Sequence, residues 1–129
     1  MHKSFLALGS IFGSLAIVVG AFGAHSLKKI VSSDALAVFQ TGVQYQMYHA
    51  LALLITGILH ERLPNKWIKW AGYLFCVGII FFSGSLYVIG LSNENAVPVI
   101  VGILTPVGGL VFIAGWLCLL MGVIAKNRS

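Results

Sequence analysis

The chain has 129 residues and a formal charge of +5, with 59% hydrophobic and only 9% charged residues. Soluble domains carry about 25% charged residues, and a water-facing surface this apolar would aggregate. The composition therefore excludes an ordinary soluble enzyme and points to lipid as solvent. The basic residues fall in short runs between apolar stretches, which suits anionic headgroups on the cytoplasmic side rather than a nucleic-acid footprint. The length is that of a single domain, 1–129.

Four stretches reach the roughly 20 apolar residues a spanning helix needs. They cover about 4–24, 38–60, 70–91 and 97–125. Lys28, Lys29 and Asp34 mark the first break. Glu61, Arg62, Pro64, Asn65, Lys66 and Lys69 mark the second, and Ser92, Asn93, Glu94 and Asn95 the third. None of the runs alternates polar with apolar, so β-barrel strands are excluded. The sequence predicts an all-α integral membrane protein, a bundle of four transmembrane helices.

The first stretch mimics a signal peptide, with His2 and Lys3 ahead of it and Ala21 and Gly23 as a small-residue site. Its apolar run is longer than a signal core, so it is expected to stay as a span. The second is ambiguous, because Ala35 to His60 exceeds what a bilayer core requires. Ile30, Leu36, Val38 and Phe39 allow an amphipathic lead-in on the outer surface, with entry near Val43. In the fourth, Pro98 and Pro106 can each start or kink a helix. Thr105-Pro106-Val107-Gly108-Gly109 predicts a kink or break.

Orientation follows from Lys and Arg. With four spans, Lys3, Arg62, Lys66, Lys69, Lys126 and Arg128 share one side, and Lys28 and Lys29 the other. The excess places both termini in the cytoplasm. Trp67 and Trp70 fit the aromatic belt on that side.

Glycine spacing indicates packing. Gly9, Gly13, Ala16, Gly20 and Gly23 line one face of the first helix, and Gly108, Gly115 and Gly122 recur every seven residues in the fourth. Gly42, Ala50 and Gly57 resemble them in the second. Lipid supplies no hydrophobic drive between helices, so close backbone approach must hold them together. Such stripes suit either a homo-oligomer seam or the inside of one bundle.

Polar residues within spans are costly and often functional. The second span holds Gln40, Thr41, Gln44, Tyr45, Gln46, Tyr48 and His49. Gln40, Gln44 and Tyr48 share one face, with Tyr45 and His49 on the adjacent one. Ser83, Ser85 and Tyr87 lie in the third span, Thr105 in the fourth, and His25 ends the first. In the proposed topology these positions gather in the outer half of the bilayer. That suggests a polar pocket for a lipid headgroup or small polar solute, or a network that ties helices together.

Other chemistries fare worse. No two histidines stand four apart, and no carboxylate lies inside a span, so neither a metal nor another cofactor is expected. Without an intramembrane acid, a proton-coupled transporter lacks its usual exchanger. Ser83-Gly84-Ser85 alone does not make a hydrolase, and no catalytic residue is assigned. Cys76 and Cys118 lie inside apolar stretches and read as free thiols.

Several runs carry a resemblance. They are Gly20-Ala21-Phe22-Gly23-Ala24-His25, the segment from Phe39 to Ala52, Phe82-Ser83-Gly84-Ser85-Leu86-Tyr87, and Thr105 to Gly109. Together they resemble the small bacterial membrane protein family labelled domain of unknown function 423, which has a distant eukaryotic transmembrane relative. The resemblance spans nearly the whole chain. It implies a four-helix protein of the plasma membrane and no catalytic residues. The expectation is a non-enzymatic, self-associating membrane protein with a polar pocket. The alternatives are a transporter or channel subunit for a small solute or proton, and an accessory subunit of a membrane complex.

Overall fold

A computed structural model describes residues 2–92 and 97–125, the side chain of His2 aside. Asn93, Glu94 and Asn95 of the third break, and Lys126 and Arg128 of the charge count, lie outside the described residues. The described chain is helical: α1 His2–His25, a 3-10 turn Leu27–Lys29, α2 Ser33–Arg62, α3 Lys66–Gly78, a π-helical segment Ile79–Ser83, α4 Gly84–Leu91 and α5 Val99–Ile124. The α3, π and α4 segments follow one another directly as a single rod, Lys66–Leu91.

The helix ends follow local chemistry. Ser32 caps α2, its side chain accepting from the Ala35 amide at 3.2 Å, and Asp34 adds a negative charge to the first turn. That cap explains why α2 starts at Ser33 and runs unbroken through Val43. The expected outer lead-in is the first turns of the same helix, with Phe39 buried at 2% exposure. Asn65 caps α3 by accepting from Ile68 N–H at 3.1 Å. Its amide donates to the carbonyls of Leu63 and of Gly122, the latter at 3.1 Å, and so ties the α2–α3 link to the end of α5.

Of the kink or break expected near Pro106, the break does not occur. α5 begins after Pro98, whose extended backbone is its cap, and continues as helix across Pro106. The ring of a helical proline presses toward the carbonyl four residues before it. Here that residue is Gly102. An irregularity that was not expected falls in the third stretch, where the Gly84 N–H reaches back to Ile79 O across the π turn.

α2 is the central element, packed between α1 and the α3–α4 rod, and α5 covers the rod's other side. The glycine stripes are used within the chain. Gly9 abuts Ala50 and Leu54, Gly20 abuts Val43, and Gly23 abuts Phe39, so the α1 stripe is the seam with α2. Gly108 meets Phe82, Gly115 meets Phe75 and Gly122 meets Ile68, so the α5 stripe is the seam with the rod. The core lies where these seams converge: Phe5, Ala52, Leu53, Ala71, Phe75, Ile79 and Phe112. Cys76 and Cys118 are half-buried free thiols packed against it.

Among the described residues, three helices are long and apolar enough to cross a membrane: Lys3–Lys29, Lys66–Leu91 and Val99–Ile124. α2 is long enough, at 30 residues, but its polar side chains keep it out of that set.

Candidate functional site

The buried polar side chains of the described residues are Gln46, His49, Thr56, Ser83 and Ser85. Gln46 joins three helices: its Nε2 donates to Phe12 O of α1 at 2.8 Å, and its Oε1 accepts from the Tyr87 hydroxyl of α4. Ser83 Oγ donates to Gly42 O at 2.7 Å. Ser85 donates to Phe82 O at 2.8 Å. A hydroxyl has one hydrogen to give, so Thr105 is the donor in the 2.6 Å contact between Thr105 Oγ1 and Ser85 Oγ. Among the described residues, no buried side-chain N or O lacks a partner. In an apolar surround the bonds of Gln46, of Ser83 to Gly42 and of Thr105 to Ser85 fix helix register, because breaking one strands a polar atom.

The ten residues singled out from the sequence therefore separate into three groups. Ser83, Ser85, Tyr87 and Thr105 belong to the closed network. Tyr45 and His49 face α5. His25, Gln40, Gln44 and Tyr48 lie on exposed surfaces and do not join the others. The reason is angular. At 100° per residue, Gln40, Gln44 and Tyr48 stand two positions, or about 200°, from Gly42, Gln46 and Ala50. The small residues Gly42 and Ala50 mark the buried side of α2, and Gln46 lies between them on that side.

His49 has the most constrained environment. Its ring stacks on Phe112 with centroids 3.5 Å apart and planes at 11°. Trp116 Nε1–H reaches His49 Nε2 at 3.0 Å, and His49 Nδ1 lies 2.7 Å from Tyr45 O. An indole N–H only donates and a carbonyl only accepts. His49 is thus the neutral Nδ1–H tautomer, with both nitrogens engaged. Held this way it is neither a free base nor a free metal ligand. No group of three or more His, Cys, Asp or Glu side chains gathers among the described residues.

Beside this pair opens a groove of about 600 Å³, walled by Tyr45 and His49 of α2, Phe82 of the π segment, and Pro106, Phe112 and Trp116 of α5. Gly109, Leu110 and Ile113 complete it. The π turn helps shape it. It brings the Phe82 backbone against Gly108, and the Phe82 ring against Tyr45 at 4.8 Å and Phe112 at 5.5 Å. Single π turns within α-helices recur at functional sites. The walls are aromatic and aliphatic, with the half-exposed Tyr45 hydroxyl as the polar group not already bonded. Sequence reading missed Phe82, Phe112 and Trp116 here, since nothing in an apolar run distinguishes a groove wall from a core residue.

Apolar helices sealed by glycine contacts, with every buried polar side chain bonded internally, define a small multi-pass helical membrane protein. The family profile described as "Protein of unknown function (DUF423)" matches residues 19–109, and the chain belongs to that family. It is 43% identical to UPF0382 membrane protein SAB0533 of Staphylococcus aureus over 92% of this chain and 93% of the relative. It is 40% identical to UPF0382 membrane protein YwdK of Bacillus subtilis, covering 95% and 97%. It is 37% identical to UPF0382 inner membrane protein YgdD of Escherichia coli K12, covering 96% and 92%. No solved structure matches the chain significantly.

Proposed function

We propose that this is a non-enzymatic, four-span membrane protein that holds a membrane lipid, or a similarly amphipathic small solute, in the groove between α2 and α5. The observation that carries the reading is the groove itself. It is an aromatic trough open at the side of the bundle, whereas the polar residues nearby are spent on one another. From Pro106 to Trp116 it runs about 15 Å along α5, roughly half the hydrocarbon thickness. An apolar chain fits its walls, and the Tyr45 hydroxyl offers one polar contact. Native mass spectrometry of protein released gently from its own membranes tests this. A retained lipid mass is expected, and it should be lost in Gly109→Leu, which fills the groove where an added Cβ meets only Phe82 at 3.8 Å. Equal retention by both proteins would sink the proposal. A polar metabolite mass in place of lipid would shift the ligand class.

The four-span topology rests on α2. It lies along α1 from Gly9–Ala50 to Gly23–Phe39 and along α4 through Gly42–Tyr87 and Gly90–Phe39. A helix flanked by span-length apolar helices shares their slab of bilayer. The positive-inside rule favours the cytoplasm for the basic second break, in which Lys66 sits over Trp67 at 5.6 Å and Lys69 over Tyr73 at 6.0 Å. There these lysines meet anionic headgroups. Cysteines placed at Ser26 and at Pro64 should be labelled by an impermeant maleimide from outside and inside, respectively. Labelling of both from one side would mean that α2 does not cross.

A further inference from the structure

We propose that the exposed face of α2 is the seam of a two-fold homodimer, in which Gln40, Gln44 and Tyr48 meet the same residues of a second copy of this chain. The glycine stripes of α1 and α5 cannot serve this purpose, because α2 and the α3–α4 rod already occupy them. The outward face of α5 presents Leu110 and Leu117, and that of α1 presents Ile17 and Val18 beside Ser10 and Ser14, whose hydroxyls are spent on the carbonyls of Leu6 and Ser10 in their own helix. Lipid covers such faces without cost. The outward face of α2 differs, with Gln40 and Gln44 exposed and Tyr48 54% exposed. Neither glutamine amide is hydrogen-bonded to another described residue. The proposed crossing of α2, on which this seam rests, sets Gln44 within the bilayer and Gln40 near its outer edge. In hydrocarbon an unbonded amide is costly, and polar side chains there find partners on neighbouring helices.

The chemistry of the face selects a second copy. A two-fold axis brings each residue near its own image, so the residues on it must tolerate themselves. No Asp, Glu, Lys or Arg lies between Asp34 and Glu61, so no like charges are opposed. A glutamine amide carries both donors and an acceptor, and each finds in its image the groups that it lacks. Below them Leu51 and Ile55, about half exposed, continue the same face with apolar contact. In a two-fold dimer with its axis along the membrane normal the two α2 helices run parallel, with glutamines opposed at equal depth. Tyr48, whose ring lies 5.7 Å from Tyr45, sets this seam beside the groove.

Oxidative cross-linking of Gln44→Cys in purified proteoliposomes reads the seam directly. Wild type, with Cys76 and Cys118, is the background, and Val18→Cys and Leu117→Cys are lipid-facing controls. Disulfide dimer is expected at position 44 well above both controls. Cross-linking no better than the controls overturns the proposal. So does a Gln44→Cys protein that stays monomeric when purified yet forms a larger adduct in native membranes, since a different protein would then cover the face. Independently, Gln40→Leu/Gln44→Leu should weaken dimerisation in bilayers at least about tenfold, as loss of several interhelical hydrogen bonds implies. Helix content by circular dichroism should be unchanged, because both positions face outward. An unaltered dimer affinity in that variant overturns the pairing of the glutamines.

Discussion

Trp116 of α5 gives its indole hydrogen to Nε2 of His49 on α2 across 3.0 Å, and this side-chain bond joins two helices that otherwise meet mainly through the stack of His49 on Phe112. Trp116→Phe keeps an aromatic wall and removes the donor. His49 Nε2 then faces an apolar groove unbonded, which costs about 1–2 kcal/mol. The measurement is unfolding in a mixed-detergent titration. Trp116→Phe should lose that much stability, and His49→Phe/Trp116→Phe should lose less than the sum of the single changes. Additive losses would mean that the two side chains are not coupled.

Gln46 gives a sharper test, because it serves two partners. Gln46→Leu strands the Tyr87 hydroxyl inside the bundle and removes the bond from α2 to the Phe12 carbonyl, which keeps only its helical partner, and a loss of about 2–3 kcal/mol is expected. Tyr87→Phe in the same background should restore part of it by removing one stranded group. Gln44→Leu, about 200° away on the exposed face, should leave the stability of the monomer within about 0.5 kcal/mol of wild type. Equal losses at 44 and 46 would contradict the burial of one and the exposure of the other.

That contrast shows what could be read from the sequence and what could not. The apolar stretches, their helical nature, the capping residues Ser32 and Asn65 and the small-residue stripes all depend on local pattern, and they are legible. The inward face of α2 was legible too, since Gly42 and Ala50 mark the side where backbones approach, and a glutamine between them must be inside. Choosing Gln40, Gln44 and Tyr48 as a converging set followed the polar spacing and overlooked the glycines two positions away. The π segment was not legible. Ile79–Ser83 has ordinary helical residues, and its wider turn answers a tertiary demand, the fit of Phe82 against Gly108. The helix across Pro106 was hidden for a similar reason, because packing of the rest of α5 on the rod overrides a local breaker.

Asn65 closes the cytoplasmic end as the topology is proposed, and its two functions can be separated. Asn65→Asp keeps the acceptor for Ile68 N–H and abolishes donation to Gly122 O, whereas Asn65→Ala abolishes both. Loss of the cap costs about 1 kcal/mol, and the bond to α5 adds a comparable amount. Hydrogen exchange is the suitable readout. Asn65→Ala should speed exchange in the first turn of α3 and the last turn of α5, and Asn65→Asp mainly in the latter. Faster exchange confined to α3 in both variants would mean that the contact with Gly122 carries no stability.

The neighbouring glycines of α5 make the packing argument quantitative without any change of chemistry. A Cβ on Gly108 would fall 2.5 Å from the backbone nitrogen of Phe82, in the π turn, where no side-chain rotation relieves the overlap. On Gly109 the nearest contact would be the Phe82 ring at 3.8 Å, and on Gly102 there is none within 4 Å. Gly108→Ala must therefore push α5 off the rod or distort the π turn, at about 1–3 kcal/mol. Gly109→Ala should be close to neutral. Gly102→Ala should be neutral or stabilising by up to about 1 kcal/mol, since alanine is the better helix former. Thermal unfolding of the three single variants in one detergent gives the order. If Gly108→Ala proves as stable as Gly109→Ala, the rod and α5 do not approach as closely as the Gly108–Phe82 contact requires, and the groove whose wall Phe82 forms would be wider than described.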